Sequence, residues 1–254
     1  MGAIEIKGMK LGEGAPKTII SIMGANLDEC LANIEAGKEA GVECYEWRGD
    51  FNDDRYDNDK MVEMGKAISA ALPDNPLLFT FRSVSQGGQD TMTVPQYVSL
   101  NKALIEAEIL DIVDIETWIG DAAVSELVAC AKAHGVKALI SYHNFAGTPS
   151  VEWMVNLMTH MIDLGADIPK VAVMAKDAAD ALKLLAATEE VRRLHFDGPM
   201  LTMAMGREGS ITRLAGEYFG SDITFCSLAK SSAPGQVDVR LARTIMDELH
   251  SILA

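Results

Sequence analysis

The chain contains eight short apolar runs separated by longer stretches, and this repeat constrains the fold more than any other feature. Most runs are rich in β-branched residues and lack the polar–apolar alternation of a strand with one solvated face. Such continuous runs are typical of a parallel sheet that helices cover. The strand-like runs are Lys17–Met23, Val42–Arg48, Leu77–Arg82, Leu110–Glu116, Val136–Tyr142, Lys170–Met174, Met200–Met203 and Ile223–Phe225.

The stretches between these runs place apolar residues at helical spacing, and several are followed by glycine at the position of a left-handed C-terminal cap. Eight strand–helix units in 254 residues match the usual size of a (β/α)8 barrel. An open doubly wound sheet is the alternative, but no glycine-rich nucleotide fingerprint follows the first run. The helix-like stretches include Leu27–Ala40, Gln96–Ile109, Ala122–Ala133, Val151–Leu164 and Ala178–Ala187.

These patterns predict an α/β fold, a (β/α)8 TIM barrel, that forms a single domain over residues 1–254. Turn signals at Gly8 and Gly12–Gly14 predict that residues 1–16 form a short N-terminal hairpin extension. We expect this hairpin to plug one end of the barrel.

The chain is acidic, with 22 Lys and Arg against 37 Asp and Glu and a formal net charge of −15. Such a surface repels phosphate backbones, which argues against nucleic acid as a partner. The same field repels a small anionic substrate. A site for an anion would therefore need its own local arginines.

Neither the apolar runs nor the cysteines point to a membrane, secretion or a metal. No run approaches the roughly 18–20 residues of a membrane helix, and the N-terminus lacks the apolar segment of a signal peptide. The four cysteines have no CxxC spacing, which favours free thiols in a reducing cytosol and argues against a zinc site. We therefore expect a cytoplasmic protein with no membrane association and no bound metal.

Polar side chains concentrate at the C-terminal ends of the predicted strands, where a barrel carries its active site. Each of them also has a structural interpretation, because carboxylates and arginines can form a satisfied polar layer inside a barrel and a single histidine is often structural. The polar positions are Ser21, Glu46, Arg48, Arg82, Asp114, Glu116, His143, Lys170 and the loop from Ser231 to Gln236.

Lys170 stands apart because it directly precedes the apolar run Val171–Met174, where a buried strand should begin. Burial lowers the pKa of an amine, and the neutral amine is the form that attacks a carbonyl to give an imine. A solvated lysine at the start of a strand is the alternative. Together, one lysine, one histidine and several arginines suggest Schiff-base chemistry on an anionic keto compound.

A set of ordered motifs resembles the type I 3-dehydroquinate dehydratase family over essentially the whole chain. The resemblance implies a (β/α)8 barrel that forms a homodimer and uses no metal or organic cofactor. It further implies conversion of 3-dehydroquinate to 3-dehydroshikimate and water in the shikimate pathway of aromatic amino acid biosynthesis. The matching motifs are GEGAPK near the start, EWRGD at Glu46–Asp50, PLLFTFRS at Pro76–Ser83, Gly87–Gly88, SYHNF at Ser141–Phe145, LGADIPKVAVM at Leu164–Met174, RLAGEYFGSDITF at Arg213–Phe225 and SAPGQ at Ser232–Gln236.

The same resemblance implies a role for each site residue. Lys170 is similar to the family's Schiff-base lysine, and His143 to the general base that later acts as general acid. Arg213 is similar to the partner of the substrate carboxylate, and the Ser232–Gln236 loop to a mobile segment that closes over the site. The remaining substrate-binding positions implied are Ser21, Glu46, Arg48, Arg82, Ser232 and Gln236.

The chain departs from the family pattern at Gln86, where the family has a glutamate immediately before the paired glycines. That glutamate is associated with the catalytic histidine. A glutamine can form a hydrogen bond but carries no charge, so it stabilises an imidazolium less well. Smaller departures are Gly49, which we expect to loosen the end of its strand, and Asn144, which is tolerated variation.

Three interpretations of Gln86 remain open: a slower dehydratase, an engineered Glu→Gln variant, and a natural paralogue with an altered substrate. The alternative function is a catalytically weak paralogue that binds a polyhydroxy cyclic carboxylate. A Schiff-base aldolase on the same fold is a third possibility, but the matches at Arg213 and Ser232–Gln236 favour a cyclic acid.

Overall fold

In the computed structural model, which describes residues 2–228 and 232–253, eight parallel strands form a nearly closed barrel with helices between them. The strands pair in the order β10-β3-β4-β5-β6-β7-β8-β9, so the last strand pairs with the first barrel strand. The predicted TIM barrel is therefore confirmed. The strands are β1 (Ile4–Ile6), β2 (Met9–Leu11), β3 (Lys17–Ile22), β4 (Cys44–Arg48), β5 (Leu77–Thr80), β6 (Ile112–Glu116), β7 (Lys137–Asn144), β8 (Ile168–Met174), β9 (Leu201–Met205) and β10 (Ile223–Phe225).

Helices connect the barrel strands, and each of the five stretches predicted above overlaps one of them. Capping side chains fix several starts, because Asn26, Ser150 and Asp177 each accept a hydrogen bond from the first turn of the following helix. Within the described residues the helices are α1 (Leu27–Glu39), α2 (Asn58–Ala70), α3 (Val94–Glu106), α4 (Asp121–Ala133), α5 (Val151–Asp163), α6 (Ala178–Leu194), α7 (Ile211–Leu214), α8 (Gly216–Phe219) and α9 (Val239–Leu253). None of these helices is long and apolar enough to cross a membrane.

The interior of the barrel is built in layers, because residues two apart on a strand point to the same face. The layer near the N-terminal ends of the strands is apolar. The layer above it is largely polar and forms the floor of a cavity. The lower layer comprises Ile19, Cys44, Leu78, Ile112, Leu139, Ile168, Leu201 and Ile223. The upper one comprises Ser21, Glu46, Thr80, Asp114, Ser141, Lys170, Met203 and Phe225.

The N-terminal hairpin covers the apolar end of the barrel, as predicted. Strands β1 and β2 pair antiparallel, with Ile4 opposite Leu11 and Ile6 opposite Met9. Leu11 is fully buried and Ile6 nearly so, and both pack with the lower barrel layer in one apolar cluster. The polar chemistry is therefore confined to the opposite end.

Candidate active site

A cavity of about 420 Å³ lies at the C-terminal ends of the strands, above the polar layer. The structure brings eight of the ten predicted site residues to this cavity: Glu46, Arg48, Arg82, Gln86, His143, Lys170, Ser232 and Gln236. Seven further residues complete the lining, most of them apolar: Gly87, Phe145, Ala172, Met203, Met205, Phe225 and Ala233.

The other two predicted residues, Ser21 and Arg213, contact residues that line the cavity. Ser21 Oγ donates to Glu46 Oε2 at 2.5 Å and lies 3.0 Å from Ser232 Oγ. Arg213 contacts Met203 and Phe225. Both residues are buried in contact with the cavity lining.

Lys170 lies inside the barrel rather than at the start of a strand. Strand β8 begins two residues earlier, at Ile168, so the lysine is the third strand residue, and the residue is only 2% exposed. Its Nζ lies 3.1 Å from Asp114 Oδ2 and 4.6 Å from the ring centroid of Phe225. Burial lowers the pKa of Lys170, and the attraction of Asp114 only partly offsets this. The neutral amine is thereby made more accessible.

Asp114 connects Lys170 to Arg82; the sequence placed it among the polar strand-end positions, but the family resemblance implied no role for it. Arg82 reaches Asp114 Oδ2 at 2.5 Å and Glu116 Oε1 at 2.7 Å, and Ser141 Oγ donates to Asp114 Oδ1 at 2.5 Å. Burial alone would raise the pKa of Asp114, but Arg82 and Lys170 outweigh it and hold that pKa below its ordinary value. The charged network fixes Lys170 from below the cavity.

Arg48 is held by its own carboxylate at the end of β4. Its Nε and NH2 donate to the two oxygens of Asp50, both at 2.7 Å, in a bidentate pair. At the intervening Gly49, Phe79 and Met61 fill the space that a Cβ would occupy, with Phe79 Cε2 at 2.6 Å. A glycine is therefore needed for this close packing, and the loosening expected at this strand end stays a prediction.

Gln86 lies in the short 3-10 helix Val84–Gln86 and binds His143 through one atom. Its Oε1 accepts a hydrogen bond from the backbone N–H of His143 at 2.6 Å and lies 3.1 Å from Nδ1 of the same ring. Burial, together with Arg82, Lys170 and Arg48, holds the pKa of His143 well below its ordinary value. The imidazole is therefore neutral near neutral pH and can accept a proton.

Arg213 differs from the other cations of the site because no carboxylate of the described chain pairs with it. Its NH1 contacts Met203 Sδ at 3.1 Å and Phe225 O at 3.2 Å, and its NH2 donates to Pro234 O at 3.3 Å. Its Nε is buried without a partner among the residues described, and burial lowers the pKa of Arg213 to about 10. An incoming carboxylate would supply the negative counter-charge that this guanidinium lacks.

The predicted loop is docked over the cavity. The backbone N–H of Ser232 donates to Gln236 Oε1 at 2.9 Å, and Gln236 Nε2 donates to Ser232 Oγ at 2.8 Å. Gly206 N donates to Pro234 O at 3.2 Å, which ties the loop to the end of β9. Ser231, the first residue of the predicted loop, lies outside the described residues.

The sequence interpretation missed the apolar part of the lining, chiefly Met203, Met205 and Phe225. Apolar residues at strand ends look like ordinary core. The signal that could have found them is parity: Lys170 pairs in register with Leu201, so Met203 and Met205 share its inward face.

Comparison with known proteins identifies close relatives. The family model described as type I 3-dehydroquinase matches residues 18–252. A 3-dehydroquinate dehydratase of Salmonella agona is 41% identical over 98% of this chain and 99% of its own length.

Solved structures agree with these matches. A type I 3-dehydroquinate dehydratase of Clostridium difficile, solved with covalently modified comenic acid, has a TM-score of 0.95 and 36% identity, and the match covers 99% of this chain and 100% of that one. A 3-dehydroquinate dehydratase of Geobacillus kaustophilus has a TM-score of 0.94 and 34% identity, with 98% and 96% of the two chains covered.

Proposed function

The chain belongs to the type I 3-dehydroquinase family and is a 3-dehydroquinate dehydratase, and we propose that it works through an imine between the substrate ketone and Lys170. The observation that carries the proposal is the buried amine of Lys170 beside Asp114, in a cavity that also contains a neutral His143. The Clostridium difficile relative was solved with covalently modified comenic acid, which supports covalent chemistry in the family.

In the first step, the neutral Lys170 amine attacks the ketone carbon, the adduct takes up one proton from solvent, and water leaves, which gives a protonated imine. This cation withdraws electrons from the neighbouring carbon and makes its proton far more acidic than in the ketone. His143 takes that proton on Nε2, because its Nδ1 faces the oxygen of Gln86.

In the second step, the electron pair left on carbon expels the hydroxyl on the next ring atom. His143 returns its proton to this leaving oxygen, and water departs. Hydrolysis of the remaining imine restores Lys170 and releases 3-dehydroshikimate. Each proton that His143 takes is thus returned within one turnover.

Arg213 is proposed to bind the substrate carboxylate, because the other cations of the cavity already have acidic partners. Arg48 pairs with Asp50, and Arg82 and Lys170 both pair with Asp114. Ser21, Glu46, Arg48, Arg82, Ser232 and Gln236 are proposed to hold the substrate's hydroxyls and carboxylate, with Ser232–Gln236 excluding water from the imine.

A catalytically weak paralogue that binds a polyhydroxy cyclic carboxylate is the second candidate, and neutral Gln86 is the observation that favours it. Turnover separates the two functions. An absorbance assay for 3-dehydroshikimate should show steady formation, whereas tight binding with negligible turnover would favour the binding protein.

The imine is tested by borohydride reduction in the presence of 3-dehydroquinate, followed by mass spectrometry of the peptides. We expect a stable adduct on Lys170 that is absent from the Lys170→Met variant. Lys176→Met is the matched control, because Lys176 is exposed just beyond β8 and its loss should leave the adduct unchanged. An unmodified Lys170, under conditions that modify a known family member, would rule the imine out.

The homodimer is proposed on the family resemblance alone. Because one chain has a mass of 27.4 kDa, the protein should sediment as a species of twice that mass. A monomer at working concentrations would contradict this part of the proposal.

A further inference from the structure

Asp50 is a fully buried carboxylate just beyond β4, and it binds two different parts of the molecule at once. Its Oδ1 accepts from Arg48 Nε at 2.7 Å and from the backbone N–H of Arg82 at 3.3 Å. Its Oδ2 accepts from Arg48 NH2 at 2.7 Å and from the backbone N–H of Gln89 at 3.0 Å. Two of the four donors thus belong to a side chain of the cavity, and two belong to the backbone of another loop.

The two backbone donors lie at the two ends of the segment 82–89, which follows β5 and contains Gln86. This segment turns back on itself so tightly that a Cβ on Gly88 would collide with the carbonyl oxygen of Arg82. By binding both ends, Asp50 fastens the loop to the end of the neighbouring strand β4. The position of Gln86 is therefore tied to the position of Asp50.

These contacts connect two groups that the reaction would use together. Arg48 lines the cavity, and Gln86 Oε1 accepts from the backbone N–H of His143 and faces Nδ1 of its ring. We propose that Asp50 is a positioning residue that fixes Arg48 and the Gln86 loop relative to each other, so that the bound substrate and the His143 base meet in one geometry. The inference rests on the proposed function, in which Arg48 holds the substrate on which His143 acts.

The chemistry of position 50 requires a carboxylate. A carboxylate has about four acceptor sites, which is enough for the fork of one guanidinium and two further N–H groups. In Asp50→Asn an NH2 group replaces one oxygen. Because each oxygen serves one N–H of Arg48 and one N–H of the loop, either orientation of the amide removes an acceptor from both partners.

The first test measures kcat and KM for 3-dehydroquinate in Asp50→Asn. We expect KM to rise about 3- to 10-fold, the range for loss of one hydrogen bond to the group that holds the substrate. We expect kcat to fall about 10- to 100-fold, because a small misplacement of a reacting group has a cost of this size. Asp54→Asn is the matched control: it makes the same change in the same loop, but Asp54 forms a surface pair with Lys60, so both constants should stay unchanged.

Double-mutant cycles separate the two routes by which Asp50 acts. In a Gln86→Met background the route to His143 is already broken, so Asp50→Asn should lower kcat by less than about threefold. In an Arg48→Met background the other route is broken, so Asp50→Asn should change KM by less than about twofold. The Arg48→Met, Asp50→Asn pair leaves no unpaired guanidinium, so it keeps the effect on kcat measurable if Asp50→Asn alone does not fold.

A purely structural role would lower only the fraction of active enzyme. It would reduce kcat by the same factor in every background and leave KM unchanged. That result, or unchanged kcat and KM in Asp50→Asn, would overturn the inference.

Borohydride trapping keeps this test separate from the proposed function. Lys170 Nζ pairs with Asp114 rather than with Asp50, so Asp50→Asn should still form the adduct. An adduct in the parent protein together with additive effects in both cycles defeats only the role of Asp50, whereas absence of the adduct from the parent protein defeats the imine.

Discussion

At the scale of single residues, a glutamate at position 86 would both orient the His143 ring and place a negative charge beside it, whereas Gln86 does only the first. The Gln86 oxygen orients the His143 ring, but it adds no negative charge beside it. Three cations, Arg82, Lys170 and Arg48, therefore act on His143 without an opposing partner at that position. The pKa of His143 is therefore low: the neutral ring is available to accept a proton, but the imidazolium that results is poorly stabilised.

Gln86→Glu should raise the rate of dehydration near neutral pH by about tenfold, the effect of roughly one pKa unit of imidazolium stabilisation. The carboxylate opposes the nearby cations and so raises the pKa of His143. Because His143 must be neutral to take a proton, the fall in kcat on the acidic side should move to higher pH in the variant. A pH profile of kcat for both proteins measures both effects.

Asn144→Asp is the matched control, because it adds the same charge one residue from His143 but leaves the contact of Gln86 with Nδ1 unchanged, so it should alter the rate less than Gln86→Glu does. A variant rate equal to or below the parent rate would show that Gln86 does not limit proton transfer.

At the scale of elements, the eight barrel strands and the hairpin could be predicted because strand and turn residues carry local signals. The exact residues at which the elements begin and end could not be predicted in this way. Helix α6 extends to Leu194 rather than Ala187 because Thr188 and Val191 continue its buried face. Thr188 Oγ1 also bonds Leu184 O, a tertiary arrangement that the polar run 188–190 does not reveal.

The same limit applies to the candidate site. Polar residues at strand ends identified the cavity, but their pairing depends on register between distant strands. The registers of β6, β7 and β8 place Glu116 opposite Ser141 and Ser141 opposite Lys170. Asp114 lies two residues before Glu116 on the same inward face, and its carboxylate reaches both Ser141 and Lys170. Spacing within one strand carries no such information.

The hairpin offers a prediction at this scale. Leu11→Ala should lower the free energy of unfolding by about 2–5 kcal/mol, because Leu11 is fully buried against the lower barrel layer. Urea denaturation followed by circular dichroism measures this loss. Since the hairpin lies at the opposite end from Lys170, kcat should be unchanged.

Lys10→Ala is the neighbouring control, because Lys10 is exposed and its pair with Glu13 is on the surface. Its effect should stay within about 0.5 kcal/mol. Equal stabilities for the two variants would contradict the packing role of the hairpin.

At the scale of the whole molecule, the net charge of −15 and the cationic site act on the substrate over different distances. The surface field is long-ranged and is screened once the Debye length falls from about 30 Å at 0.01 M salt to about 10 Å at 0.1 M. The proposed contact of the substrate carboxylate with the buried Arg213 is short-ranged and is screened much less. Salt therefore removes repulsion before it weakens binding.

Accordingly, kcat/KM for 3-dehydroquinate should rise about two- to threefold between 0.01 and 0.1 M sodium chloride, with kcat nearly constant. Steady-state kinetics at fixed pH test this, with sucrose at equal osmolality as the control. A fall in kcat/KM over that range would mean that the site cations, rather than the acidic surface, govern the approach of the substrate.

The bond between Ser21 and Ser232 spans 211 positions of the chain. On the ribosome, the first of these serines emerges long before the second, and Lys170 and Arg213 appear in between. A nascent chain therefore contains Lys170 while the segment up to Ser232 is still being made. Under the proposed mechanism, a translation product that ends before Ser232 lacks the loop that shields the imine from water, however many barrel units it contains.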